Sequence, residues 1–214
     1  MAVVHALMLG HIIEELITLI VVLNPIDAIP IFLTATARLD ERDRQRTVFI
    51  AVFVAILVLM LFLWFGQYVL EAMHISIPAF QIAGAAVLFL FATQMIFSGQ
   101  QRATGMPEPS RTVAEIAIFP VAMPAIASPG ALLAVVLLTD NNRFSLVEET
   151  ETAAVTVVVM VVVLVTLLLA ARIQRILGTA GIMVVTQVMG LVLAAFSVQQ
   201  VIDGALEIFG RASR

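Results

Sequence analysis

Residues 24–30 read Asn24-Pro25-Ile26-Asp27-Ala28-Ile29-Pro30, inside a run that is otherwise apolar from Ile12 to Ala37. Each proline removes a backbone donor and kinks a helix, and a carboxylate at mid-bilayer depth is costly. Irregular backbone at that depth survives only where protein or a water-filled cavity surrounds it. The stretch therefore reads as an interruption that forms part of a site. A second interruption, Pro120 to Gly130, answers it in the other half of the chain.

Working outward, the 214 residues are 62% hydrophobic with a mean hydropathy of +1.10, well above a soluble domain. Apolar runs long enough to cross a bilayer recur, which predicts an all-α polytopic membrane protein and no soluble domain. Six spans fit: Ile12 to Ala37, Thr47 to Leu70, Ile77 to Phe97, Val113 to Leu138, Thr152 to Ala171 and Ile182 to Ile208. The fifth is rich in valine, which a helix in lipid accepts because every backbone bond is internal. The net charge of −4 decides little, since charge in such a chain is confined to loops and helix ends. The absence of cysteine excludes disulfides, thiolate metal sites and a cysteine nucleophile. Residues Met1 to Gly10 lack the basic start and small-residue cleavage site of a secretory signal, so the amino terminus is expected to be retained.

Arginine distribution sets the expected orientation. The connections after the first, third and fifth spans hold Arg38, Arg42, Arg44, Arg46, Arg102, Arg111, Arg172 and Arg175, against Arg143, Arg211 and Arg214 on the opposite side. This predicts both termini outside the cytoplasm. The run Arg38 to Arg46 also holds Asp40, Glu41 and Asp43, and reads as an interfacial loop with mutual pairing and no role with nucleic acid.

An internal repeat is visible. Gln81, Gly84 and Gln94 in the third span have the spacing of Gln187, Gly190 and Gln200 in the sixth, and Asn24-Pro25 pairs with Ser128-Pro129. Two three-helix halves, 12–98 and 113–210, joined by one cytoplasmic loop, 99–112, must cross the membrane with opposite orientation. That is an inverted repeat in a single transmembrane domain, whose site is expected where the discontinuous helices meet near the midplane.

At such an interruption the upstream half-helix exposes carbonyls and the downstream half exposes amides, so two inverted interruptions offer both poles to a zwitterion. Asn24, Pro25, Ile26 and Asp27 with Ser128, Pro129 and Gly130 are the candidate substrate-binding residues. Asp27 admits two readings, a cap on the downstream half-helix or an ionisable coupling group. Pro120 and Pro124 are either kinks or part of the site. Gln81 and Gln187 are candidates to line a cavity, although polar residues in spans more often bond between helices. Glu14, Glu15, His5 and His11 read as a wetted helix end, and too few ligands gather for a metal. No nucleotide fingerprint, serine elbow or catalytic base accompanies them, so neither an enzyme nor a cofactor is expected.

Asn24-Pro25-Ile26 with Pro30-Ile31-Phe32, and Phe119-Pro120 with Pro124, Ile126-Ala127 and Pro129-Gly130-Ala131, resemble the paired signatures of the MarC family. The likeness spans about Ile12 to Gly210 and includes Gly84, Gly190 and the stretch from Gln199 to Gly204. It implies six helices, a multi-pass protein of a prokaryotic plasma membrane, and transport of glycine, alanine and similar amino acids driven by a proton or another cation. Asp27 and Ser128 stand where that pattern has glycine, and Gln81 and Gln187 where it has arginine, so the substrate can differ. The alternatives are a non-transporting scaffold or regulatory protein, and a passive channel. Substrate identity, direction, coupling ion and oligomeric state are not legible from sequence.

Overall fold

The computed structural model describes residues 2–97, 112–139 and 146–212. The expected loop 99–112, apart from Thr112, and Arg102, Arg111, Arg143 and Arg214 lie outside the described residues. Among the described residues every regular element is helical. In chain order these are α1 (Ala2–Leu23), α2 (Pro25–Ala35), α3 (Glu41–Ala72), α4 (Ile77–Phe97), α5 (Val113–Ile116), a π-wound segment (Ala117–Ile126), α6 (Pro129–Leu138), α7 (Leu146–Leu168) and α8 (Ala170–Ala212).

Five stretches are long and apolar enough to cross a bilayer: Ile12–Ala35, Glu41–Ala72, Ile77–Phe97, Glu149–Leu168 and Ala170–Gly210. Val113–Ile126 with Pro129–Leu138, bent by 59° at their break, make a sixth when counted as one span. Outward faces carry Phe53, Trp64, Tyr68, Val158, Leu191 and Leu206, all more than half exposed. Lipid accepts such a surface, whereas water would drive it to aggregate.

Two helix boundaries differ from the sequence expectation. The arginine-rich stretch is a loop only as far as Asp40, whose Oδ1 accepts from the Asp43 amide at 2.8 Å and starts α3 at Glu41. Arg42, Arg44 and Arg46 therefore extend a helix, with Glu41 and Arg44 one turn apart and 3.5 Å between their charged groups. N-capping by an aspartate with acidic residues in the first turn is strong enough to set that start. In the second half, the expected gap between Ala171 and Ile182 is helical from Ala170 onward and turns at Gly178, whose φ of 67° suits glycine.

The core is one cluster lined by Leu19, Ile29, Phe32, Leu59, Leu88, Ile126, Met160 and Leu193. Along α3 the inward stripe is Ala51, Ala55, Leu59, Leu63 and Gln67, one residue every four. α4 pairs with α8, α3 with α7, α1 with α6, and α2 with the π segment; α6 also packs on α3 and α4, and α2 on α7 and α8. The α4–α8 pair is antiparallel: Gly204 faces Pro78 and Ile82 at one end, and Gly190 faces Ala92, Met95 and Ile96 at the other.

Candidate functional site

The first interruption is a single residue. Asn24 holds a left-handed backbone (φ 39°, ψ 72°), which asparagine tolerates better than other residues with a side chain. Its amide still reaches back to Ile20 O at 3.0 Å, closing α1, while Pro25 opens α2 at the position where a missing N–H does no harm. The second interruption is two residues, Ala127 and Ser128, and its downstream helix opens in the same way. Ser128 is extended (φ −70°, ψ 159°), Pro129 opens α6, and Ser128 Oγ accepts from the Ala131 amide at 3.2 Å. Upstream of it, Phe119 and Met123 are extended within the π segment. Each precedes a proline, which pushes its predecessor out of helical geometry.

The two interruptions face each other. α1 lies on α6 and α2 on the π segment, so the joint between α1 and α2 meets the joint between the π segment and α6. Gly130 fixes the approach: a Cβ built on it would stand 2.1 Å from Leu88 Cδ1 and 3.4 Å from Val22 Cγ1. Val22 belongs to the last turn of α1, so a residue at the start of α6 touches the end of the first half-helix.

Chemically the two helix starts are alike in position and unlike in charge. Ile26 and Gly130 each follow the opening proline, and their amides have no partner within their own helix. The next residue is Asp27 in α2 and Ala131 in α6, where Ser128 already occupies the amide. Asp27 is 5% exposed and lies in the positive first turn of α2. Asn24 is 4% exposed, and its Nδ2 has no hydrogen-bond partner among the described residues. A buried donor left in that state costs about 1–3 kcal/mol.

The remaining candidates fall elsewhere. Gln81 donates to Gln200 at 2.6 Å, and Gln187 donates to Ile96 O at 3.2 Å. Both glutamines tie α4 to α8 and do not gather with Asn24 and Ser128. Pro120 is half-buried in the π segment, and Pro124 and Pro129 are exposed. Among the described residues no group of three or more His, Cys, Asp or Glu is placed to hold a metal ion.

Two residues carry more than sequence reasoning assigned them. Gln67 of α3 is buried, and its Nε2 donates to Val136 O at 3.3 Å and to Thr139 O. It caps the carbonyl end of α6, so this ten-residue helix is held by Ser128 at one end and Gln67 at the other. A polar residue within an apolar span was the available signal. Replacing Gln67 with leucine is expected to lower stability by about 1 kcal/mol, measured by unfolding in detergent.

Glu15 is the second, and here the expectation of a wetted helix end fails. Glu15 is 2% exposed and accepts from Thr152 Oγ1 at 2.8 Å, because α7 packs along α1 and covers that face. Glu14 beside it is exposed, as expected.

Comparison with known proteins agrees with this architecture. The profile of the MarC family of integral membrane proteins matches residues 9–209. A UPF0056 membrane protein of Methanocaldococcus jannaschii is 30% identical over 186 residues, covering 86% of this chain and 90% of its own. One from Pyrococcus abyssi is 30% identical over 195 residues, covering 90% and 92%. The UPF0056 inner membrane protein MarC of Escherichia coli is 28% identical over 211 residues, covering 90% and 93%. No solved structure matches the chain. With a family match across nearly its whole length, the chain belongs to the MarC family of integral membrane proteins.

Proposed function

We propose that the protein is a secondary transporter of small neutral amino acids in a prokaryotic plasma membrane, driven by a proton or another cation. It works by alternating access between two inverted halves, with both termini on the non-cytoplasmic side. The observation that carries the reading is Asn24: a buried amide donor without a partner, in a broken helix, beside the start of a second broken helix. Such a donor is matched by an acceptor on a ligand. The substrate carboxylate takes Asn24 Nδ2 and the Gly130 amide at the positive end of α6, and the ammonium goes to Asp27. Residues flanking the joints, Ala28, Ala127 and Ala131, are buried, small and apolar, which suits a glycine- or alanine-sized side chain.

The inverted-repeat reading draws support from the pairing pattern. Exchanging the halves turns α1 on α6 into the π segment on α2, α4 on α6 into α8 on α2, and α3 on α6 into α7 on α2; α4–α8 and α3–α7 map onto themselves. Each of these contacts is present with its counterpart.

A non-transporting scaffold is favoured by one feature, the close cover of Gly130 by Leu88 and Val22. In the transport reading that cover is a closed state. Reconstitution into liposomes separates the two: uptake of labelled glycine or alanine, with proton and sodium gradients imposed in turn, is expected above protein-free vesicles. Absence of both uptake and exchange across a panel of small amino acids would remove the transport reading, and flux without counterflow would indicate a channel.

A further inference from the structure

We propose that Glu15, joined to Thr152 between α1 and α7, is where the driving cation binds, a proton or a sodium ion; this rests on the transport reading above. In that reading Asp27 is engaged by the substrate's ammonium, so a separate group must hold the cation. Glu15 is the other carboxylate on the first span that is enclosed, at 2% exposed. Its partner Thr152 is wholly buried, and Thr156, also wholly buried, lies one turn farther along α7 and donates to Thr152 O at 2.8 Å. An enclosed carboxylate held by a buried hydroxyl, within a membrane span, is a group that takes up a proton or pairs with a monovalent cation.

The ionisable groups around Glu15 are mainly at the ends of the packed helices, with His11 one turn from Glu15 and Glu148 one turn from Thr152. On the elements packed against α1, the ionisable residues are Glu148, Glu149 and Glu151 of α7 and Arg172, Arg175, Asp203, Glu207 and Arg211 of α8, while α6 has none; α1 itself adds His5, His11 and Glu14. Of these, Glu14, Arg172, Arg175 and Asp203 are exposed and Glu149, Glu151 and Glu207 half-exposed. Glu15 also lies on a stripe that leads to the substrate joint. Glu15, Leu19 and Val22 follow helical spacing on one buried face of α1, and Val22 is the residue against Gly130. The rise from Glu15 to Val22 is about 10 Å along a single unbroken helix. Loading Glu15 neutralises it within the α1–α7 contact, and any resulting shift of α1 reaches Gly130 through Val22. In the proton case the proton adds to the carboxylate on one side and leaves on the other, with no other bond changed.

The test uses purified protein in liposomes and reads two processes. Counterflow of labelled alanine without a cation gradient reports the substrate site and the access change, while uptake against a gradient, with pH and sodium arms run separately, reports coupling. Glu15→Gln, which keeps size and an acceptor for Thr152, is expected to retain counterflow and lose gradient-driven accumulation. Glu15→Asp is expected to restore accumulation in part, and Thr152→Val to shift the cation concentration for half-maximal uptake. A third readout is independent of transport: the infrared response of buried carboxyls to pH or sodium has a component that is kept in Asp27→Asn and missing from Glu15→Gln. Wild-type accumulation in Glu15→Gln overturns the proposal, as does an infrared response unchanged in Glu15→Gln. Equal loss of counterflow and accumulation in both Glu15 variants marks a structural role and also overturns it. Wild-type protein that neither exchanges nor accumulates any amino acid sinks the transport reading instead, and the infrared comparison still decides whether Glu15 binds the cation.

Discussion

Asn24→Gly is expected to fold and insert as the wild type does, with its thermal midpoint unchanged or raised, and to bind small amino acids far more weakly. Glycine adopts the left-handed backbone of this position without strain. Removing Nδ2 also relieves a buried donor that costs about 1–3 kcal/mol, against about 0.5–1 kcal/mol for glycine's greater freedom when unfolded. Binding loses a hydrogen bond to a charged group, worth about 1.5–3 kcal/mol, or roughly 10- to 150-fold in affinity. The opposite signs are what separate a binding residue from a structural one. A loss of stability with unchanged affinity, seen in paired melting and uptake measurements, would assign Asn24 to the fold.

The second large effect is expected at Gly130. An alanine there places a methyl group 2.1 Å from Leu88 Cδ1, and Leu88 is itself buried against α6. Overpacking of this kind costs about 1–3 kcal/mol, and Leu88→Ala alone costs about 2–5 kcal/mol through the cavity it leaves. The double variant should lose less than the two singles together, by about 0.5–3 kcal/mol, because each change answers the other. Unfolding of the four proteins in one detergent provides the cycle. Simple additivity would mean that the start of α6 and Leu88 do not touch.

Much of this arrangement could be read in advance from where prolines fall. Asn24-Pro25 and Ser128-Pro129 both turned out to be short joints between helices, of one residue (Asn24) and two (Ala127, Ser128), because a proline can open a helix and cannot continue one. The facing of the two joints was inferred from repeat spacing and agrees with the contact of Gly130 and Val22. Harder to foresee were residues whose role depends on a neighbour distant in sequence. Glu15 looks like any acidic residue near a helix start until α7 covers it, and Gln67 caps a helix end 72 residues away. Gln81 and Gln187 stood out in the repeat for a different reason, as ties along the α4–α8 seam. The early start of α3 was legible in principle: Asp40 with Glu41 and Asp43 is an N-terminal pattern, but the surrounding arginines drew attention to charge.

The absence of native cysteine makes a direct test of the joint possible. Ser128→Cys in an otherwise unchanged protein places one thiol at the start of α6, where it is buried in this state. The decisive measurement is its reaction rate with a small water-soluble thiol reagent, in liposomes, with and without alanine. If the two joints form a substrate pocket that opens to water in turn, the thiol reacts and alanine slows it. A thiol that reacts from neither side of the membrane, or at a rate alanine does not change, would contradict the account.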